Sequence, residues 1–513
     1  MADSNTNEFD ERVCHVSYNL AEDESSLKVP SSLFKIKQLK SFLVPFPSDI
    51  RPSYKKQFRL FPLNDKSIFR IQSLRALRMC GLGINKLPRS IELPEDINKL
   101  VALRHLHLFG CDKLSHMPKG LRRLTGLETL DRFVVGKPSN SATPYGCKAK
   151  LACDLSDLGY LDNLKGMLTI ILVDRSKDIV SKPKPQIEQK EITGLIMIFR
   201  ESRLEDEMVL ENLKPGANLE LLSIKDYGGK RLPSWMREGI HCTLPNLHNL
   251  RLERLDKVEY IEDGSSSKSN MIVSTPLFPF LKNLTLMDIP RLKGWWSMTE
   301  SAQDQSQNQL LKRMPAFPKR EWVEMDMELV ISLAQVFLSR LSSLHILFVL
   351  GKTKEVEEQR CGPSNVGVKQ RQPVILLKNY LPMLRNLVLC NSQKEYLPEE
   401  FRGMTSLKFL EIDNYEALEA FPELIDTLTS LESLTIYNCP RLKSLPAEIS
   451  NLSNLKSLRL ERCSRELAER CQSPSGEDWP KIQHIPNITI QPDNPLKMGR
   501  MNRINQVNKS GGT

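Results

Sequence analysis

The sequence contains little that would cross a membrane, build a disulfide scaffold or carry out catalysis. No apolar stretch reaches the roughly 18 residues that a membrane helix needs. The most apolar run, Leu344 to Leu350 (LHILFVL), is far shorter. The opening MADSNTNEFDERVCHVSYNL is polar and acidic and has no apolar signal-peptide core. The 11 cysteines are odd in number and scattered, with no paired framework. That pattern points to reduced thiols and a cytoplasmic or nuclear setting. Aromatic residues make up only 6%, and the net charge of +10 is mild for 26% charged residues, with acids interleaved among the bases. A nucleic-acid partner is therefore not expected. There is no H-E-x-x-H, no G-x-S-x-G and no kinase set. Gly351-Lys352-Thr353 is the one phosphate-loop hint, but Ile346 stands where such a loop needs glycine, and Glu355, Glu357 and Glu358 follow at once. Asn283, Asn451 and Asn487 match the glycosylation sequon, which has no meaning without a secretion signal.

What the sequence does have is leucine at a fixed interval. The frame L-x-x-L-x-L begins at Leu384, Leu407, Leu431 and Leu455, in steps of 23, 24 and 24 residues. It also occurs at Leu74/Leu77/Met79, Leu103/Leu106/Leu108, Leu219/Leu222/Ile224, Leu247/Leu250/Leu252 and Leu281/Leu284/Leu286. A period of 20–29 residues with this frame marks a leucine-rich repeat. In each x-L-x-L-x the two leucines share one face of a short strand, because side chains alternate along a strand. A single strand cannot shelter them. Stacked coils pair their strands in parallel and enclose a continuous core. A Leu-Pro-like step follows in each repeat, at Leu87-Pro88, Met117-Pro118, Leu232-Pro233, Leu397-Pro398, Phe421-Pro422 and Leu445-Pro446. Proline argues against a central strand there and suits extended or 3₁₀ turns. The expected fold is an α/β repeat solenoid. It is a leucine-rich-repeat horseshoe with a parallel β-sheet on the concave face and loops, 3₁₀ turns or short helices on the convex face.

The frame divides the chain unevenly. Residues 1–60 read as a linker and N-terminal edge, and 61–298 as a first block of repeats with loops at 136–150 and 176–191. The segment 299–380 is irregular or inserted, with one weak frame at Leu344/Leu347/Val349 and a candidate helix from Met325 to Leu341. A second block spans 381–470, a C-terminal cap 471–492 and a polar, disordered tail 493–513.

The candidate chemistry is recognition rather than catalysis. Position nine of the frame is Cys111, Cys439 and Cys463, where a small polar group can satisfy backbone groups of the neighbouring coil. A metal role for these thiols would need a paired Cys or His motif that is missing. His105 and His107 alternate on one strand face without a third ligand beside them. No catalytic, cofactor-binding or metal residues are assigned. Outward strand positions carry His105, His107 and Phe109, then Asn249, Arg251 and Glu253. Further along come Phe409, Glu411, Asp413, Ser433, Thr435, Tyr437, Ser457, Arg459 and Glu461. This strip of aromatic and charged groups has the composition of a protein interface.

Several phrases are similar to those of one family. ERVCHVSYNL and VPSSLFKIKQLKSFLVP come first, then LPEDINKLVALRHLHLFGCDKLSHMPKGLRRLTGLETLDRFVVG. IKDYGGKRLPSWM at 224–236, LMDIPRLKGWW at 286–296 and GEDWPKIQHIPNITI at 476–490 follow. Together they resemble the leucine-rich-repeat part of a plant coiled-coil nucleotide-binding disease resistance protein. The resemblance implies a non-enzymatic recognition module of innate immunity. Its partner would be a pathogen effector, a host protein or another receptor's nucleotide-binding module. In full-length relatives the repeats also restrain the nucleotide switch. The coiled coil and P-loop module have no counterpart in this sequence, so the expectation is a truncated paralogue or fragment that takes no nucleotide cofactor. An extracellular leucine-rich-repeat receptor or inhibitor, a nucleotide-binding protein and a non-functional gene fragment are the rival readings.

Overall fold

The computed structural model describes residues 10, 12–17, 26–27, 36–44, 59–60, 71–79, 91–92, 95–111, 114–136, 152–173, 184–201, 203–263, 280–297, 322–332, 344–351, 375–421 and 423–492. The loop 137–150, residues 176–183 of the second expected loop and the tail 493–513 lie outside them. The chain divides into two compact units, one covering 1–229 with 497–513 and the other 230–496.

Besides two short two-stranded ladders, Ser26–Leu27 with Arg59–Leu60 and Ile91–Glu92 with Leu114–His116, the first unit carries two longer parallel ladders. One pairs β1 (His15–Ser17), β2 (Ser41–Val44), β3 (Ala76–Met79), β4 (His105–His107) and β5 (Thr129–Leu130) in that order. The other pairs β6 (Arg132–Val135), β7 (Lys165–Leu172), β8 (Glu191–Phe199) and β9 (Leu221–Lys225). Two of these strands, β1 and β2, lie in the stretch read as a linker and N-terminal edge of the array. They carry a variant frame in which Val16 and Phe42 replace leucine while Leu39 keeps it, and all three are buried. Glu191, taken as the end of a loop, already begins β8, and a 3₁₀ turn at Ile187–Gln189 leads into it.

The second unit holds β10 (Asn249–Glu253), β11 (Asn283–Met287), β12 (Trp322–Asp326), β13 (Ile346–Leu350), β14 (Asn386–Ser392), β15 (Phe409–Tyr415), β16 (Ser433–Tyr437), β17 (Ser457–Cys463) and β18 (Asn487–Pro492). Each pairs in parallel with the next. The leucine register is unbroken from Leu387 through Leu410, Leu434 and Leu458 to Ile488. Leu407, Leu431 and Leu434 are fully buried. Two strands, β12 and β13, arise inside 299–380 and start 24 residues apart, the same interval as the regular repeats. A short helix occupies Met327–Ser332, directly after β12. Met325 itself is a strand residue, so the candidate helix starts later than its sequence suggests.

Proline shapes the side opposite the sheet. Pro118, Pro398 and Pro446 are N-caps of the 3₁₀ turns Lys119–Arg123, Glu399–Phe401 and Ala447–Asn451, and Pro233 caps the helix Ser234–Arg237. Their fixed φ starts these turns, and their missing N–H costs nothing at a turn's first position. The described residues thus form a leucine-rich-repeat solenoid with parallel strands along one side and 3₁₀ turns or short helices along the other.

A recognition surface on the parallel strands

The chain must leave each strand sharply to begin the opposite side, and one residue makes that bend. Seven positions after the first leucine of a frame, φ is positive. It is 81° at Gly110, 61° at Asp226, 55° at Arg254, Asp288 and Asn391, 58° at Asn414, 53° at Asn438 and 54° at Arg462. Glycine, Asn and Asp tolerate this left-handed conformation best. The asparagines are also linked to one another. Asn414 Nδ2 donates to Asn391 Oδ1 at 2.9 Å, and Asn438 Nδ2 donates in turn to Asn414 Oδ1. The next position turns inward. Cys111, Tyr227, Leu255, Ile289, Ser392, Tyr415, Cys439 and Cys463 are all buried there. Cys439 Sγ donates to Tyr437 O, and Cys463 Sγ to Ile436 O of the neighbouring coil. Burial pushes the Cys439 thiol up to about 12 and the Cys463 thiol up to about 11. Both sulfurs stay protonated, and that of Cys463 ties its coil to the one before.

With leucines facing in, the alternate residues of β10–β18 form three rows across the sheet. The first row holds Asn249, Asn283, Ile346, Asn386, Phe409, Ser433, Ser457 and Asn487. The second runs Arg251, Thr285, Glu324, Phe348, Val388, Glu411, Thr435, Arg459 and Thr489. The third includes Leu350, Cys390, Asp413, Tyr437, Glu461 and Gln491. Asn249, Arg251, Glu253, Phe409, Glu411, Asp413, Tyr437, Arg459 and Glu461 therefore lie on one sheet face, none of them buried. Phe409 is 46% exposed.

The three candidates of the first unit are placed differently. His105 and His107 alternate outward on β4, but Phe109 sits in the turn beyond it, 60% exposed, because β4 ends two residues earlier. His105 Nδ1 is 3.1 Å from Thr129 Oγ1, and His107 Nδ1 is 3.4 Å from Asp131 Oδ2. Asp131 also accepts from Leu108 N at 2.7 Å. Both imidazoles thus brace β4 against its neighbour. Among the described residues no three His, Cys, Asp or Glu side chains gather as a metal site.

Charge on the second unit's face is locally matched at both ends. Arg251 Nε lies 3.1 Å from Glu253, and Arg459 Nη1 lies 3.7 Å from Glu461. At the mouth of the strands, Glu432 bridges Lys408 and Lys456 of the coils on either side, and hydrogen bonds from these two lysines hold its carboxyl below the usual range. The middle differs. Thr285 donates to Glu324 Oε2 at 2.9 Å, and beyond Glu324 the face turns apolar through Ile346, Phe348, Leu350 and Val388. Cys390 lies there too, its thiol pushed well up by burial and then by the negative charge of Asp413, Glu411 and Glu324. Sequence reading did not single out Glu324, Phe348, Leu350 or Val388. The alternation in WVEMD and ILFVL was the signal for the first three, in a segment without three clean leucines, whereas Val388 is the outward residue between Leu387 and Leu389 of a clean frame.

Comparison with known proteins fits this architecture. Residues 155–293 and 372–463 match the family model of R13L1/DRL21 leucine-rich repeats. The disease resistance protein RGA2 of Solanum bulbocastanum is 34% identical over 394 residues, which is 72% of this chain and 36% of that protein. The putative disease resistance protein RGA1 of the same plant is 29% identical over 209 residues, 36% of this chain and 19% of the relative. The chain thus spans well under half the length of these relatives. Among solved structures, the leucine-rich-repeat protein LIC12759 of Leptospira interrogans aligns over 91% of this chain and 92% of its own. The identity is 18% and the TM-score 0.34. Over those two stretches the chain carries repeats that match the R13L1/DRL21 leucine-rich repeats, and it is similar to plant disease resistance proteins.

Proposed function

We propose that this chain is a protein-recognition module of plant disease resistance. The outward rows of β10–β18 would bind a pathogen effector or a host protein. One observation carries the reading. Nine strands in continuous register turn every second side chain to one face, and that face mixes Arg251, Phe409, Tyr437 and Arg459 with Glu253, Glu411, Asp413 and Glu461. Aromatic and arginine side chains on a rigid scaffold are the usual anchors of protein interfaces. The likeness to disease resistance proteins supports the biological setting, and two stretches of the chain match a leucine-rich-repeat family model. The module acts by binding, inside the cell, and takes no cofactor. No helix among the described residues is long and apolar enough to cross a membrane.

The test is capture from leaf tissue. The tagged chain is expressed in plant cells challenged with pathogen, and co-purifying proteins are identified. A direct partner should bind the purified chain and lose about tenfold or more in affinity when Arg251 and Arg459 are both changed to Glu. Equal affinity for a variant with an unchanged unfolding curve rejects the sheet face as the binding surface.

A further inference from the structure

The middle of the sheet face has an arrangement of its own. β13 and β14 present Ile346, Phe348 and Leu350 beside Val388 and Cys390. All five are partly exposed. On the β12 side, Glu324 stands beside Phe348. On the β15 side, Glu411 stands beside Val388, and Asp413 beside Cys390. Two apolar strands are thus flanked by carboxylates on both sides. Strands lie about 4.8 Å apart, so the two acidic columns are separated by about 14 Å. Asp326 stands in line with Leu350 but does not open onto the face. It is buried, and its carboxylate accepts from Asp288 N at 2.6 Å and Leu329 N at 2.9 Å. The arginines of the face lie elsewhere, Arg251 beside Glu253 and Arg459 beside Glu461.

We infer that this strip docks a protein segment with an apolar centre and lysine or arginine on both flanks. The inference rests on the recognition reading above and narrows it to one patch and one partner chemistry. Apolar contact with Phe348, Val388 and Leu350 supplies the non-directional part of the binding. Glu324 on one side and Glu411 with Asp413 on the other set the required charge pattern and penalise an acidic partner. A partner carrying only cations would forgo the apolar centre, and one with acidic flanks would meet like charge at Glu324, Glu411 and Asp413.

Three labelled peptides of about 14 residues test this: an apolar Leu/Phe centre with two lysines at each end, the same centre with two glutamates at each end, and the first composition with lysines and apolar residues alternating. The lysine-flanked peptide should bind at least about tenfold more tightly than either other. Its binding should weaken as salt rises from about 0.1 M to about 0.5 M. It should fall at least about tenfold on the Glu324→Lys/Glu411→Lys double variant and on Val388→Lys, both checked for an unchanged unfolding curve. Equal binding of the glutamate-flanked peptide, indifference to these substitutions, or no binding of any peptide overturns the proposal. So does a leaf-tissue partner that loses affinity with Arg251 and Arg459 reversed but keeps it with Glu324 and Glu411 reversed. That last result leaves the recognition face standing and removes only this patch.

Discussion

Two residues hold positions that no alternative side chain fits. Gly351, whose neighbours already argue against a phosphate loop, is a contact between coils. Its N–H donates to Cys390 O at 2.7 Å, and a Cβ on it would meet Ser392 Cα at 2.6 Å and Asn391 O at 2.7 Å. Both neighbours are backbone and cannot swing aside. Gly351→Ala should therefore cost about 1–3 kcal/mol of stability, read from the denaturant midpoint. An unchanged midpoint would mean that the coils have room to separate. Asp478 is the second case. Its buried carboxylate accepts from Leu445 N at 2.9 Å, from Arg470 Nη2 at 3.1 Å and from Lys481 Nζ at 2.8 Å. Burial alone would raise its pKa, but the hydrogen bonds from Arg470, Lys481 and Leu445 together outweigh burial and hold it below the ordinary 3.8. A carboxyl depressed on folding stabilises the native state fully above that ordinary value and loses the contribution as pH falls through the lower, folded one. Asp478→Asn should cost about 3 kcal/mol near neutrality, with the gap to wild type closing below about pH 4. Unfolding curves at both pH values check this. A gap that is constant with pH would assign the loss to packing.

The strands were legible where leucine fills the frame and obscure where it does not. β14 to β17 follow from Leu384, Leu407, Leu431 and Leu455 alone. β12 escaped notice because Arg320 stands at its first frame position and Val323 and Met325 replace the two inward leucines. Those two side chains are buried as leucines would be, so the core needs apolar volume rather than one residue type. The left-handed turn after each strand was equally hidden, because Gly110, Asp226, Arg254 and Asn414 share a conformation rather than a chemistry. The asparagine ladder separates these two demands. Asn414→Gly keeps the backbone at φ 58° and loses both side-chain hydrogen bonds, whereas Asn414→Ala loses the bonds and is strained besides. Thermal unfolding should rank wild type above Asn414→Gly and Asn414→Gly above Asn414→Ala. The second step should be about 1 kcal/mol. Equal stability of the two variants would show that the turn carries no strain.

The fold class could be read because a period of about 24 residues admits few architectures. The surface could not, since lateral neighbours on a sheet depend on register between strands 23 to 40 residues apart. Glu324, Val388 and Glu411 become a row only once β12, β13, β14 and β15 are aligned. A stack of coils also has a mechanical consequence. Each repeat leans only on the next, so stability is the sum of coil and neighbour contributions, and damage should stay local. Leu434 is fully buried in β16 and is paired in register with Leu410 and Leu458. Leu434→Ala removes a side chain that the rigid neighbours can only partly replace, at a cost of about 2–5 kcal/mol. Backbone hydrogen exchange should speed up in β15, β16 and β17 and remain unchanged in β10 and β11 of the same unit. Faster exchange throughout the second unit would show one cooperative block, and the repeats would then be a single core with a periodic sequence rather than a chain of nearest neighbours.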